Sequence, residues 1–541
     1  MVTSVSSCAG RWTMAVCLIL LPFGQATAQV IDTDVIARIK AEGQDRSQAL
    51  GVVGWLSDVY GPRLTGAPST EIAKEWTLGT LRGYGLSNVH EERFPFGTGW
   101  SLERFHAHMT KPQVMPIIGH PQAWTTSTTG TVRADVVRVD IRHSDDFARY
   151  RGRLRGKIVL PQQTREVAML EGDLVLRMDE RLLRQASRPQ VPSGSSQSGD
   201  TEGGPTLADL TREFFLEEGV VAVLDRGSDS FMVSGAPSGS NLDWPTQRTD
   251  GGTVFLAGGG PRADQVGRVV PTATIAVEHY NRMVRNLERG VAVEAEINIQ
   301  TTFHDEEETL NAFNIVAEIP GTTDLAHEVV ILGAHFDSTH ASTGATDNAT
   351  GVAAMMEAMR VLRAVGARPR RTIRLVLWGA EEQGLLGSRD YVARHYADPD
   401  TLERRPDYDN LSAYYNLDNG AGRVRGIWLQ DNTRVAPIFE PWLKALDELG
   451  VTTLGRRATR GTDHLSFDEV GLPGFQFMQD RLEYNSRTHH SNMDFMDRVQ
   501  EEDLVQMSVV AAVFAYNTAM LDERLPRKLV PMAFRSQQQE R

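Results

Sequence analysis

Four short stretches of this chain carry side chains of the kinds that can bind metal ions. "GAHFDSTHASTGATDNATG", Gly333 to Gly351, holds His335, Asp337 and Asp347 among small residues. "WGAEEQGLLGS" holds the adjacent carboxylates Glu381 and Glu382, "NLD" ends on Asp418, and "RTHHSNMD" supplies His489, His490 and Asp494. These are imidazoles and carboxylates without thiols, the ligand set of a hydrolytic zinc or two-metal site. A two-metal site needs a bridging carboxylate, and Asp347, beside a Gly/Ser/Thr turn, can approach two ions. His335 with Asp418 would then hold one ion, and Glu382 with a late histidine the other. Neighbouring side chains at a strand end point in different directions, which leaves Glu381 to face the bound water as general base. Asp337 lies two residues past His335, on the same side of an extended segment, where it can take the ring's second proton and orient it.

Each stretch alone has an ordinary use. His-x-Asp is a hydrogen-bonded pair, and Glu-Glu is a solvated helix start favoured by the macrodipole. "NLDN" is a turn signal and "HHSNMD" a helix cap. Their positions together argue for chemistry, because each follows a β run in one region of alternating strands and helices.

That region runs from about residue 311 to 520. "VVILGAHFDS" precedes "TGVAAMMEAMRVLRAVG", and "TIRLVLWGAEE" precedes "GLLGSRDYVARHY". "LSAYYNLD", "GIWLQD" and "GFQFM" are further strands. The apolar runs are nearly continuous, as in parallel strands buried on both faces. We therefore expect an α/β fold with a mixed, mostly parallel sheet flanked by helices. Ligands in such sheets bind beyond the carboxyl ends of the strands, where the acidic and histidine residues fall. Residues 31 to about 100 repeat apolar positions at helical spacing, with Ser69 or Thr70 as one cap, before a strand in "NVHEERFPF". From about 130 to 300, "GTVRADVVRVD", "GKIVLP", "VVAVLD" and "VVPTATIAV" are short β runs, which predicts a mostly-β insertion. Inside it, "SRPQVPSGSSQSGDTEGGPT" is a Ser/Gly/Pro-rich exposed loop.

The formal net charge of −14 over 541 residues argues against a nucleic-acid binder. It suits a site for hard cations. At the start, Arg11, the apolar "MAVCLILLPFG" and "ATA" (Ala26 to Ala28) form a secretory signal too short to span a bilayer. No other long apolar run suggests a membrane anchor, so we expect a secreted or periplasmic protein. The two cysteines, Cys8 and Cys17, both lie in this leader. The mature chain would then have no disulfide, no thiolate ligand and no cysteine nucleophile. The expected division is 1–28 signal peptide, 29–130 N-terminal part of the catalytic domain, 131–300 insertion, 301–525 catalytic domain and 526–541 tail.

Five motifs recur in one order in a known family. "HFDS…GATDNATG", "WGAEEQGLLGS", "NLD", "GTDHLSF" and "HHSNMD" resemble the family M28 metallopeptidases over most of residues 311–520. "LSDVYGPRLTGAPSTEIAKEWTLGTLRGYGL" resembles their N-terminal lead-in. "LRGKIVLP" and "VPTATIAVEHYNRM" resemble a protease-associated domain. The whole is similar to secreted aminopeptidases and to the plasma glutamate carboxypeptidase branch, with the zinc exopeptidase (phosphorylase/hydrolase-like) fold. The resemblance implies two zinc ions, with His335 and Asp418 on one and Glu382 and a late histidine on the other. Asp347 would bridge, Glu381 would be the general base and Asp337 would orient His335. The family motif has Asp four residues after the histidine ligand, which selects His490. Asp463 and His464, in "GTDH", match a segment near the substrate.

The implied reaction is hydrolysis of a peptide near a chain terminus, with a water between the metals as nucleophile. An aminopeptidase is the first expectation and a carboxypeptidase or dipeptidase the alternative. A glutaminyl cyclase would use one zinc and lack "EEQGLLGS", and a receptor-like domain without catalysis would show broken ligands. The expected partner is a peptide substrate; oligomeric state has no signal in the sequence.

Overall fold

The computed structural model describes residues 31–167, 169, 173–189, 205–227, 242–244, 249–256, 267–304 and 311–528. The leader with Cys8 and Cys17, most of the Ser/Gly/Pro-rich loop and the tail from residue 529 lie outside them.

Four apolar runs become the centre of the main sheet. Thr372–Trp378, Val329–His335, Leu411–Asn416 and Gly474–Gln479 pair in parallel, in that order. Ala312–Ile319 and then Ser87–Phe94 add antiparallel on one side; Val424–Trp428 and Thr453–Gly455 complete the other, giving eight strands. Val329–His335 is buried along its whole length, as its unbroken apolar run requires of a central strand.

Helices cover both faces. On one face Thr350–Ala364 and Glu501–Met520 pack against each other with the N-terminal helices Thr33–Asp45 and Ala49–Gly54. Glu501–Met520 is apolar nearly all round and correspondingly sunk, with Leu504 to Ala519 almost entirely buried. Leu386–His395 and His464–Glu469 cover the other face over Trp378, Tyr391, Tyr414 and Phe467. The helix expected to start at a Ser69 or Thr70 cap begins instead at Pro68. A proline suits the first helical position, where its missing N–H would have had no partner.

Ser87–Phe94 and Ala312–Ile319 are hydrogen-bonded neighbours, and a second eight-stranded sheet is strung in sequence between them. It includes the runs expected as strands, here Val132–Arg138, Ile158–Leu160, Ala222–Asp225 and Thr272–Ile275, paired in parallel. It also contains Gly99–Lys111, paired along its length with Glu294–His304. The sheet is therefore wider than the span 131–300, because residues from Gly99 onward pair with its far end. It also carries helices, Leu207–Glu218 and Val277–Glu288 among them. Among the described residues no helix is long and apolar enough to cross a membrane.

Candidate active site

The parallel strands deliver their chemistry at one edge. His335 is the last residue of Val329–His335, Glu381 and Glu382 follow Thr372–Trp378, and Asp418 follows Leu411–Asn416. The segment after Gly474–Gln479 returns with His489 and His490. Asp347 comes from the turn before helix Thr350–Ala364. That turn needs Gly344 in the left-handed region (φ 63°), and a Cβ there would lie 2.3 Å from the Ser338 Cβ.

Asp347 stands at the middle of the cluster. Its Oδ1 is 3.2 Å from His335 Nε2, which is also 3.4 Å from Asp418 Oδ1. Its Oδ2 faces the other way, 3.5 Å from His490 Nε2 and 3.7 Å from His489 Nε2. His490 Nε2 is also 2.8 Å from Glu382 Oε2. The two late histidine rings stack at 3.9 Å between centroids, so both lie near Asp347, but the contact with Glu382 belongs to His490. Asp347 Oδ2 and Glu382 Oε1 are buried with no hydrogen-bond partner among the described residues. Carboxylate oxygens stranded beside imidazoles fit a zinc site, since burying such charge is costly unless a cation or donor meets it. Two triplets, His335–Asp347–Glu382 and Asp347–His489–His490, each place three ligand atoms within 4.8 Å of one another.

The cluster is held from behind by groups whose roles were not read from the sequence. The Asp494 carboxylate accepts from the Thr346 amide at 2.7 Å and from the Asp347 amide at 3.0 Å, so the late segment fixes the early turn. Asp337, expected to orient His335 through its side chain, presents its backbone to that ring. Its backbone carbonyl is 3.0 Å from His335 Nδ1, and its carboxylate stands farther off, at 3.7 Å. That carboxylate instead accepts from the Glu381 amide (3.1 Å), the Glu382 amide (3.3 Å) and Thr65 Oγ1 (3.1 Å). It thereby ties one strand end to the next. Arg63, fully buried, donates to the carbonyls of Leu56, Phe336, Thr343 and Gly344 and braces the loop between His335 and Asp347. Thr65 and Arg63 belong to "GPRLTG", a stretch that the sequence marked only as part of a lead-in.

Charge and burial set the protonation of this protein without metal. Burial, the largest influence, and the charges of Asp418, Asp463 and Glu382 raise Glu381 well above the ordinary carboxylate range, against the pull of His335. Burial also opposes ionisation of Asp347. The His335 hydrogen bond and the charges of His489, His335 and His490 outweigh it and hold Asp347 below the usual range. For His490 burial works downward, but Glu382 and Asp347 raise it to about 9.

Asp463 and His464 do not reach the cleft. Both are fully buried at the start of helix His464–Glu469. Asp463 Oδ1 accepts from Ser388 Oγ at 2.6 Å, and His464 Nε2 lies 2.9 Å from the Gln430 side-chain amide. Asp463 is instead a buried acid behind Glu381. Burial first, with Asp418 and Asp337, pushes it up to about 7, against Ser388 and His335. An acid raised this way confers stability that is complete below its unfolded value of 3.8 and is lost as pH rises through about 7. Asp463→Asn keeps the acceptor for Ser388 and cannot ionise. In zinc-free protein its stability should match wild type near pH 4 and exceed it near pH 8 by up to about 4 kcal/mol. Urea titrations at the two pH values read this directly; the same gap at both would contradict it.

Two cavities meet at the cluster. One, of about 320 Å³, is bordered by Glu381, Asp418, Arg460 and Tyr484. The other, of about 650 Å³, runs from Glu382 and His490 to residues of the second-sheet region such as Gln162, Phe215 and Val270. Tyr484 lies close over Gly420, where a Cβ would come within 2.8 Å of the ring, and packs on His489 at 4.6 Å between centroids. The arrangement is a buried, acidic, imidazole-containing centre opening on space for a chain of a few residues.

Comparison with known proteins falls on this same region. Residues 314–515 match the model of peptidase family M28. A Bos taurus protein named Carboxypeptidase Q is 27% identical over 509 residues, 93% of this chain and 91% of that protein. Aminopeptidase YwaD of Bacillus subtilis is 28% identical over 208 residues, 37% of this chain and 43% of that protein. The crystal structure of a peptidase M28 precursor from Shewanella amazonensis superposes with a TM-score of 0.65 at 24% identity, covering 92% of this chain and 99% of that one. BSAP, a zinc aminopeptidase from Bacillus subtilis, gives 0.51 at 19% identity, covering 86% and 93%. The family match lies on the sheet whose strand ends carry the cluster, and the chain, similar to the peptidases of family M28 over those residues, is a hydrolytic metallo-exopeptidase.

Proposed function

We propose that the site holds two zinc ions, with His335 and Asp418 on one, Glu382 and His490 on the other, and Asp347 between them. The observation that carries this is the posture of Asp347, one oxygen toward His335 and the other toward His490. Zinc bound at such donors supplies Lewis acidity to the reacting carbonyl. Glu381, beside this centre, takes a proton from the attacking water and returns it to the leaving amine. Residues between the paired strands Ser87–Phe94 and Ala312–Ile319 are read as a protease-associated-like insertion that walls the larger cavity.

The scissile bond lies next to a chain terminus, and two observations favour the carboxyl end. In sequence, a relative named Carboxypeptidase Q matches over 93% of the chain and one named aminopeptidase over 37%, while an aminopeptidase shares the fold over 86%. The smaller cavity is bordered by Arg460, whose guanidinium suits a carboxylate. The aminopeptidase reading, first on sequence, is supported by the relatives and the solved structure named aminopeptidase. A panel of short peptides, free, N-acetylated or C-amidated, with and without a chelator, separates them. Loss of cleavage on amidation supports the carboxyl reading, loss on acetylation the amino reading, and loss on both a dipeptidase. Cleavage indifferent to the chelator would overturn the zinc exopeptidase itself.

A further inference from the structure

The motif "HHSNMD" contains two polar residues that no step above uses, Ser491 and Asn492. Asn492 lies two residues past His490 and faces the second-sheet region. Its Oδ1 accepts from the Val254 amide at 2.7 Å, its backbone N–H donates to the Val254 carbonyl at 3.2 Å, and its Nδ2 donates to the Gly252 carbonyl at 3.3 Å. On the other side of the same short ladder, the Leu256 amide donates to the His490 carbonyl at 2.9 Å, and Phe255 bridges Ser491. A little earlier, the Thr249 amide donates to the Ser486 carbonyl at 2.8 Å. Residues 249–256 thus run as a strap along the segment that carries His490.

The strap is anchored at both ends of its role. Val254 and Leu256 are buried with Ala276, which follows a strand of the second sheet, and with Ala341, from the loop between His335 and Asp347. His490 itself sits in the left-handed region at φ 53°, a conformation that a residue with a Cβ adopts reluctantly. Something outside the histidine must hold it there, and the Leu256 amide on its carbonyl is placed to do so.

We propose that Asn492 is a positioning residue for the zinc that His490 and Glu382 would share, and that through it the strap 249–256 makes the second-sheet region part of the metal site. The proposal rests on the two-zinc reading above. Groups that orient a ligand from behind typically carry 10- to 100-fold of metal affinity. Asn492→Ala removes both side-chain bonds to the strap. Asn492→Asp keeps the acceptor for the Val254 amide.

The test is zinc affinity by chelator competition, with the unfolding of zinc-free protein as control. Asn492→Ala should release one of the two zinc ions about 10- to 100-fold more readily than wild type does, with the other unchanged. Asn492→Asp should restore most of the difference, and the zinc-free unfolding midpoint should move little. Wild-type affinity for both ions in Asn492→Ala would overturn the proposal. So would equal weakening of both ions with a matching fall in zinc-free stability, which marks a general structural role. If Asn492→Ala does not fold, wild-type hydrogen exchange decides. Loading with zinc should slow exchange of the Val254 and Leu256 amides, and no slowing there overturns the proposal. Wild-type protein that binds no zinc at all contradicts the two-zinc reading instead, so the two failures are distinct.

Discussion

Glu381→Gln should fold, keep its zinc and turn peptides over about 100- to 10,000-fold more slowly than wild type, with KM little changed. The size is that of a lost general acid–base group. The amide has nearly the volume of the carboxyl but cannot take the proton of the attacking water. The backbone N–H of residue 381 still donates to Asp337, so the turn that carries Glu382 stays in place. Steady-state kinetics with a parallel metal assay distinguish this from a ligand loss. If the variant were as active as wild type, the base would lie elsewhere; if it lost zinc, Glu381 would be a ligand and Glu382 would need another role.

Arg63→Met should cost more stability than any other single change to the site. The guanidinium is buried, and its removal strands the carbonyls of Leu56, Phe336, Thr343 and Gly344. A buried acceptor left without a donor costs about 1–3 kcal/mol, so even with partial relaxation the loss should reach about 4 kcal/mol. That is a large part of the usual 5–15 kcal/mol of a folded domain. Burial lowers the Arg63 pKa to about 10, against the charges of Asp494, Asp337, Asp347 and Glu382, so it remains a cation at neutral pH. Its loss therefore also leaves those carboxylates less compensated. Arg63→Lys keeps the charge but not the planar fork and should recover only part of the loss. Urea unfolding with an unchanged slope measures both. A Met variant within about 1 kcal/mol of wild type would contradict the bracing role.

The candidate site was legible in the sequence because its residue types are distinctive and its strands announce themselves. Unbroken apolar runs located the parallel core, and His335, Glu381, Glu382 and Asp418 follow those runs within a few residues. What could not be read was contact between distant segments. Asp494 reaches back to Thr346, Arg63 reaches forward to Phe336 and Thr343, and Asn492 reaches Val254, with nothing local to mark the pairing. The same holds for strand Gly99–Lys111, whose partner Glu294–His304 lies at the far end of the second sheet. Asp463 and His464 are a different case. Their motif lies in the right loop, but the start of helix His464–Glu469 turns both side chains inward, to Ser388 and Gln430. The sequence points to the Asp337 side chain as the partner of His335, and the backbone carbonyl of the same residue takes the closer place.

The central claim is that Asp347 joins two zinc sites. It is tested most directly by titrating zinc into metal-free enzyme while following both bound metal and peptide cleavage. Binding should saturate at two ions per chain, with full activity reached only as the second site fills. Saturation at one ion with full activity, or full activity with no zinc bound, would contradict it.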